Sequence, residues 1–261
     1  MTDIVASIVT FNNDQHLVNA AATSFLGVNG HVRLIIIDNS PEPIFSYLSS
    51  DPRIQYLHNP ANPGFGASHN IAIEQSIREN AKYHLVLNPD VYFEPVALER
   101  IFSFMEANSE VGHLMPKVLY PDGSLQHLCK RNPTFFDLFI RGFIPRSLHS
   151  LFGKRMRTYD FQDHDHNQVL YDVPYLSGCF MFLRVSVLRE VGSFDDRIFM
   201  YLEDADLTRR MLRHSRTIYF PEAVIYHHFA RFTHKKFKFK WVTVQSAFTY
   251  FSKWGWWAHL I

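Results

Sequence analysis

Ile4-Val5-Ala6-Ser7-Ile8-Val9-Thr10 and, after a helical interval, Val32-Arg33-Leu34-Ile35-Ile36-Ile37 are short runs rich in valine and isoleucine, each closed by polar turn residues. Such runs read as strands buried on both faces, as in parallel sheets. Two more follow at 54–58 and 83–87, and between the four lie segments 15–26, 67–80 and 95–107 with the length and apolar spacing of helices. The order is βαβα. It predicts a doubly wound, mostly parallel sheet with helices on both faces and a ligand crevice beyond the carboxyl ends of the strands.

The residues just after those strands are polar: Thr10-Phe11-Asn12, Asp38-Asn39-Ser40, His58-Asn59-Pro60 and Asn88-Pro89-Asp90. Taken singly, Asn12 and Asn59 read as ordinary caps or Asx-turns. Four polar strand ends converging on one crevice point to a polar ligand.

A chain of 261 residues that is 47% hydrophobic and 20% charged excludes disorder, collagen and coiled coil, and has room for one large core. The net charge of +1 is unevenly spread. No acid follows Glu222, whereas Arg231, Lys235, Lys236, Lys238, Lys240 and Lys253 do, which leaves the body with 20 basic against 25 acidic residues, or −5. A basic, aromatic tail on a mildly acidic body points to a polyanionic or membrane-surface partner for the tail alone. Met1-Thr2-Asp3 leads straight into strand pattern without a basic region, and Cys129 and Cys179 form neither a disulfide framework nor a zinc site. A cytoplasmic protein is expected. No apolar run is long enough for a membrane-spanning helix.

The second half is less regular. Residues 122–172 read as irregular, with a basic patch of Lys154, Arg155 and Arg157 before Asp160, Asp163, His164, Asp165 and His166. Adjacent acids and histidines on a loop read as a solvated turn rather than a metal site, so a mobile loop beside the crevice is expected. Then come a strand-like stretch at 173–183, a helix start at Ser186, Gly192-Ser193-Phe194-Asp195, an acidic helix at Glu203-Asp204-Ala205-Asp206, and a strand at 223–227.

Asn62-Pro63-Gly64-Phe65-Gly66-Ala67-Ser68-His69 places two glycines at a helix opening, but His69 stands where a dinucleotide fingerprint needs its third glycine, and the turn follows the third strand rather than the first. What remains is a turn that lets backbone approach a ligand. Asp90, at a strand end, suits a divalent cation bridging a diphosphate; capping the helix near Pro95 explains it equally well. Glu203, Asp204 and Asp206 crowd a helix start, where the dipole favours acids. Neighbouring like charges and partial burial raise a carboxyl pKa, which suits a general base. His227 or His228 is placed to complete a metal shell, though a lone strand-end histidine is more often structural.

Val9-Thr10-Phe11-Asn12, Ile37-Asp38-Asn39-Ser40, Asn62-Pro63-Gly64-Phe65-Gly66 with Asn70, Leu87-Asn88-Pro89-Asp90, Ser177-Gly178, Gly192-Ser193-Phe194-Asp195, Phe199-Met200-Tyr201-Leu202-Glu203-Asp204-Ala205-Asp206-Leu207 and Ile225-Tyr226-His227 together resemble the family-2 inverting glycosyltransferases. Within them the likeness is to bacterial rhamnosyltransferases of surface-polysaccharide (O-antigen, lipopolysaccharide or capsule) assembly. The resemblance implies a GT-A fold over 1–228, with a nucleotide-sugar-binding half at 1–120 and an acceptor half at 121–228. It implies that Thr10, Asp38 and Asn39 hold the nucleoside, Asp38 accepting from the base, and that Asn62, Gly64 and Asn70 line the donor pocket. Asp90 stands at the second carboxylate of the family's Asp-x-Asp motif and Asn88 at the first, beside Mg2+ or Mn2+, with His227 at a position that ligates the metal in some relatives.

The chemistry implied is a single displacement at the anomeric carbon. Asp204 takes the proton from the acceptor hydroxyl, and Glu203 is the second choice for that base. The implied donor is dTDP-rhamnose, with UDP-galactofuranose or another UDP-hexose as the alternative, and the implied acceptor is a polyprenyl-diphosphate-linked saccharide.

In the tail, 229–261, the spacing Trp241, Val244, Phe248, Phe251 gives one apolar helical face, flanked by Lys238, Lys240 and Lys253 and followed by Trp254, Trp256 and Trp257. Such a helix suits the inner face of an anionic membrane. Packing of Trp241 and Phe248 on the main domain stands as the alternative. A non-catalytic nucleic-acid-binding module would also use lysines and aromatics, but the −5 body and the lack of a nucleic-acid motif weigh against it, and no nucleic-acid partner is expected.

Overall fold

A computed structural model of the chain describes residues 3–144, 146–229 and 237–256. Arg231, Lys235, Lys236 and Trp257 of the tail lie outside the described residues, as do the side chains of Lys238 and Lys240. The first half alternates β1 (Ile4–Thr10), α1 (Gln15–Leu26), β2 (Val32–Asp38), β3 (Ile54–His58), α2 (Phe65–Arg78), β4 (Tyr83–Leu87), β5 (Val91–Tyr92) and α3 (Pro95–Ala107). The second half adds β6 (Val111–Leu119), β7 (Cys129–Lys130), α4 (Phe135–Phe143), α5 (Gly153–Tyr159), β8 (Leu170–Tyr171), β9 (Tyr175–Leu176), β10 (Phe180–Arg184), α6 (Val185–Val191), α7 (Glu203–Met211), β11 (Arg216–His227) and α8 (Phe237–Trp254).

Among the described residues the main sheet runs β3-β2-β1-β4-β10-β6-β11-β5, with β8 on the side of β11. Strands β3, β2, β1 and β4 are mutually parallel, and so are β6 and β11. Strand β10 enters antiparallel between β4 and β6. The strand period of two sorts side chains to opposite faces: Ile4, Ala6 and Ile8 join Phe25 of α1 and Leu98 of α3 in one core, while Val5, Ile35 and Ile37 meet Ala72 of α2 on the other. This is the doubly wound arrangement expected. Under α2 a buried polar chain is closed by hydrogen bonds of Ser7 Oγ to His69 Nδ1 (2.7 Å) and His84 Nε2 (2.9 Å), and of Ser76 Oγ to His84 Nδ1 (2.7 Å). Burial pushes the His84 imidazole down to about 3, so this ring serves as a neutral linker.

Four expectations need correction. Residues 122–172 are not an irregular loop: Thr134 and Asp137 form a reciprocal capping box that starts α4, and the basic patch lies on the helix α5. The last strand is not confined to 223–227. It begins at Arg216, and its first part was hidden by Pro221, which falls at a register shift between Phe220 and Val224 where the ladder is interrupted. Helix α2 opens at Phe65 rather than 67, and α6 at Val185 rather than Ser186.

The fourth concerns the face of α8. Phe251 is 2% exposed and packs inward with Tyr250 and Trp254 against Tyr175, Leu202 and Ala205, whereas Trp241 and Phe248 are 62% and 63% exposed. Trp241 and Phe248 therefore do not pack on the main domain, and Phe251 does not share their face.

What ties α8 down is a buried carboxylate on α7. Asp206, with no exposure, accepts from Trp254 Nε1 (2.8 Å) and Lys253 Nζ (2.8 Å) on Oδ1 and from Arg210 Nε (2.9 Å) on Oδ2. Removing one member of such a buried cluster leaves the others uncompensated, which is costlier than the cluster is worth. Asp206→Ala is expected to destabilise the fold by about 3 kcal/mol, read as a lowered urea midpoint; an unchanged midpoint would show that α8 is held by apolar contacts alone.

Candidate active site

The parallel register puts Thr10 beside Asp38 at the ends of β1 and β2. Asp38 is fully buried, and its two oxygens accept from four groups: Thr10 Oγ1 (2.9 Å), the Ser40 amide (3.1 Å), the Ile44 amide (3.0 Å) and Tyr56 OH (2.8 Å). Burial raises the pKa of this carboxyl, but the hydrogen bonds from Ser40, Tyr56 and Thr10 outweigh it and hold it below the usual range. A carboxylate with four donors has its lone pairs filled. Asp38, expected to accept from a base, is held by these protein donors, two of which shape the 39–44 loop. Asn39 is the better placed acceptor, since Nδ2 donates to Ser68 Oγ (2.8 Å) while Oδ1 is buried with no hydrogen-bond partner.

Gly64 and Asn62 sit at the turn into α2. Gly64 has φ +108°, and a Cβ there would lie 2.3 Å from the Phe199 carbonyl oxygen, so only glycine permits the turn to close against the loop before α7. Asn62 holds the turn in left-handed backbone, φ 44°. Asn70, expected to line the donor pocket, is half-buried on α2. Its amide is used at both ends on the backbone of Phe194, donating to the carbonyl and accepting from the N–H, each at 2.9 Å, and so clamps α2 to the 192–195 loop.

The Asn88-Pro89-Asp90 turn is gripped from two strands. Asn88 donates its amide to the Cys179 carbonyl (2.9 Å) at the start of β10, and the His228 amide donates to the Asp90 carbonyl (3.0 Å) at the end of β11. His227 Nε2 lies 3.3 Å from Asp90 Oδ1. The other ring nitrogen of His227 is hydrogen-bonded to Gln126 Oε1 (3.0 Å), and Gln126 donates in turn to the His227 carbonyl (2.6 Å), which fixes the ring.

One residue before Cys179, Gly178 donates its amide to Asp204 Oδ2 (2.8 Å). A Cβ on Gly178 would sit 3.2 Å from Asp204 Cβ, so this close approach also depends on glycine. Tyr175 adds a hydroxyl hydrogen bond to Asp204, and the Ala205 amide bonds to Oδ1 (2.9 Å). Asp204 thus has a fixed seat at the first turn of α7, two chain residues across from the Asn88–Asp90 turn. Tyr201 and Leu202, before it, both have left-handed backbone (φ 70° and 71°), a strain of the kind found at functional sites. Ser246 Oγ of α8, donating to the Met200 carbonyl at 2.7 Å, helps to hold that turn.

Strand ends carrying a polar crevice, an Asn-Pro-Asp turn and an acidic helix are the ordered features of one family, and the chain matches the model of that family, Glycosyl transferase family 2, over residues 7–192. The chain belongs to family 2. An N-acetylglucosaminyl-diphospho-decaprenol L-rhamnosyltransferase of Mycobacterium tuberculosis is 28% identical over 249 residues, covering 89% of this chain and 78% of the relative. The low-salt glycan biosynthesis hexosyltransferase Agl10 of Haloferax volcanii is 23% identical, covering 84% of this chain and 64% of that one. Among solved structures, residues 1–349 of S. aureus TarS superimpose with TM-score 0.59 at 12% identity, covering 97% of this chain and 72% of that one. The chain spans 36% of a longer TarS structure. A mannosyltransferase of Pyrobaculum calidifontis, in complex with GDP-Man and Mn2+, gives TM-score 0.59 at 12% identity over 96% of this chain and 63% of its own. The fold is GT-A.

The donors present fit a divalent cation that takes its remaining ligands from a diphosphate. Among the described residues no three His, Cys, Asp or Glu side chains gather into a full cage. Asp90, His227 and Asn88 Oδ1, the last buried with no partner, form a partial set, and Mg2+ and Mn2+ are commonly held by few protein oxygens beside substrate phosphates. The Asp160–His166 cluster is spent on structure, with Asp163 paired to Arg131 and His166 bonded to the Phe161 carbonyl, as the solvated-turn reading requires. Tyr56, Gln126 and Tyr175 carried no sequence signal, because each acts on a residue far from it in the chain or on another strand.

Glu203 differs from its neighbour. Burial, and then the adjacent Asp204, push its carboxyl well above the usual range, and Oε2 is buried with no partner. A group that binds its proton more tightly when folded contributes stability that is complete below its unfolded pKa and is lost as pH rises through the folded value. Glu203→Gln removes that loss. Its thermal stability relative to wild type is expected to rise between pH 5 and pH 8, measured by melting scans across that range; a constant difference would show that Glu203 is not held protonated.

Proposed function

We propose that this family-2 glycosyltransferase is an inverting enzyme that transfers L-rhamnose from dTDP-rhamnose to a polyprenyl-diphosphate-linked saccharide, working at the inner face of the cytoplasmic membrane. The observation that carries the catalytic part is the seat of Asp204, held by Gly178 and Tyr175 beside the Asn88–Asp90 turn. The Mycobacterium relative, named for a rhamnosyl transfer to a diphospho-decaprenol, supports the donor and the acceptor. In this reading 1–120 serves the donor, 121–228 the acceptor and 229–261 the membrane, the two halves sharing one sheet.

In the displacement the acceptor hydroxyl oxygen bonds to the anomeric carbon as the bond from that carbon to the diphosphate oxygen breaks, and the configuration inverts. The hydroxyl proton passes to Asp204. Asn39, Thr10 and the turn at Asn62 and Gly64 border the nucleoside. Asp90, His227 and Asn88 would hold Mg2+ or Mn2+, which supplies charge neutralisation for the leaving diphosphate. Glu203, protonated, keeps a second negative charge away from that diphosphate and offers a hydrogen bond at its open oxygen. A single displacement has one base, so Asp204→Asn is expected to lower kcat by about 10²- to 10⁴-fold with nucleotide binding nearly intact; comparable turnover by the variant would remove Asp204 from this role.

Calorimetric titration of dTDP, UDP and GDP, each with and without Mn2+, tests the donor and the metal together. Mn2+-dependent preference for dTDP is expected. Preference for UDP would move the donor to UDP-galactofuranose or another UDP-hexose, a reading favoured by the fold shared with TarS, which is known in complexes with UDP and UDP-GlcNAc. Binding of none of the three would overturn the catalytic reading.

No helix among the described residues is long and apolar enough to cross a membrane. Membrane contact is assigned to the outer face of α8, where Trp241 and Phe248 stand in solvent. Exchanging both for serine is expected to weaken sedimentation with phosphatidylglycerol vesicles by about tenfold or more. Equal sedimentation of the wild type and the double variant would remove the assignment.

A further inference from the structure

Beside the base lies a cleft of about 680 Å³ that the donor site does not use. Its walls carry three cations, Arg131, Lys154 and Arg155, against one carboxylate, Asp137, together with the apolar Leu151, Phe152 and Tyr159. Arg155 bonds to Asp137 (2.7 Å) and to Thr134 Oγ1 (2.9 Å), and its guanidinium stacks on Phe136 with 5.0 Å to the ring centroid. Arg131 is shared with Asp163 at 3.2 Å. Lys154 is exposed and makes no ion pair among the described residues. In the same wall Asn132 Oδ1 is buried with no hydrogen-bond partner.

The cleft adjoins the base along two strands. Arg131 follows Lys130 of β7, and Pro174 of the cleft wall precedes Tyr175 of β9, the two strands being paired. Lys130 Nζ lies 4.7 Å from the centre of the Tyr175 ring, and Tyr175 is hydrogen-bonded to Asp204. Successive strand residues point to opposite faces, and the lining residue that links the cleft to the base is Tyr159, whose hydroxyl feels the Asp204 charge. On its other side it opens onto apolar surface. Phe135, Phe136, Phe139 and Leu151 are exposed, and Phe135 reaches Trp256 beside α8 with 6.1 Å between ring centroids. Three features thus lie around the β7–β9 pair: a proton acceptor, a cationic cleft with an open hydrogen-bond acceptor, and an aromatic ridge.

We propose that this cleft holds the diphosphate of the lipid-linked acceptor, with the isoprenoid chain leaving over the α4 ridge toward the outer face of α8. The assignment rests on the acceptor class given under the proposed function. A sugar joined directly to a lipid diphosphate needs this order of chemistry: hydroxyl at the base, anion one sugar away, and hydrocarbon beyond. Arginine binds diphosphate oxygens in a bidentate manner and lysine as a point charge. Asn132 Oδ1 is free to accept from a hydroxyl of the acceptor sugar.

The test uses the full chain with its nucleotide site filled by a nucleoside diphosphate and Mn2+, titrated with farnesyl diphosphate. Saturable binding is expected, with farnesol weaker by about tenfold or more and Lys154→Glu weaker by a similar factor, whereas Arg78→Glu, an equal charge change on the exposed surface of α2, binds as wild type. With a lipid-diphosphate saccharide as acceptor, Lys154→Glu is expected to raise the acceptor KM about tenfold and leave the donor KM unchanged. Transfer to that acceptor with an unchanged KM would overturn the cleft assignment and leave the proposed function standing. Transfer only to saccharides without a diphosphate would overturn the acceptor class itself. Equal binding of farnesol and farnesyl diphosphate, or displacement by phosphatidylglycerol but not phosphatidylcholine vesicles, would assign the cleft to hydrocarbon or to bulk lipid headgroups and overturn the proposal.

Discussion

The crevice depends on one strand running the wrong way. Because β10 lies antiparallel between β4 and β6, its beginning meets the ends of its neighbours, and Phe180 pairs with Leu87. The residues leading into it, 177–179, therefore lie beside the Asn88-Pro89-Asp90 turn. From that short segment Cys179 accepts the Asn88 amide while Gly178 reaches the other way to Asp204. A parallel strand in that slot would deliver its end, followed by a helix, and nothing would span the gap between the Asn88-Pro89-Asp90 turn and Asp204.

Backbone, more than side chains, sets these distances. Gly178 and Gly64 are both places where a methyl group would strike a neighbour, Asp204 in one case and the Phe199 carbonyl in the other. Each brings a loop within hydrogen-bond range of the segment around α7. The carboxylates then divide their work. Asp38 and Asp206 are saturated by protein donors and hold the structure, whereas Asp204 has a fixed seat and Glu203 keeps an open oxygen. Of these four acids only Glu203 keeps an open acceptor, and Asp204 is set apart by its place beside the 177–179 segment rather than by an unused oxygen.

The βα alternation of the first half was legible because strands buried on both faces are written as unbroken runs such as 34–37, and because each loop that follows carries its polar residues in a block. The positions of Asp90 and Asp204 were legible as motifs. The clamp that Asn70 makes was not legible, because an amide that bonds to backbone 124 residues away leaves no local trace. The two helices within 122–172 were missed for a related reason. Thr134 and Asp137 form a capping box, but the apolar residues after it, Phe135, Phe136 and Phe139, face outward, so the usual inward stripe is absent. The cationic cleft could not be read at all, because it joins β7, α4 and α5 through contacts no spacing encodes.

Helix α8 has two unlike sides, and they face different demands as sequences diverge. Its inner side is locked to α7 and the turn before it: Lys253 and Trp254 complete Asp206, Tyr250 meets Arg209, and Ser246 holds the carbonyl before the left-handed turn. Its outer side answers only to whatever surface it meets. Trp241 and Phe248 stand in solvent, whereas loss of any one of Asp206, Lys253 and Trp254 leaves the other two without a partner of their buried cluster. A segment that reads as a disposable basic appendage is, along one edge, part of the folded core.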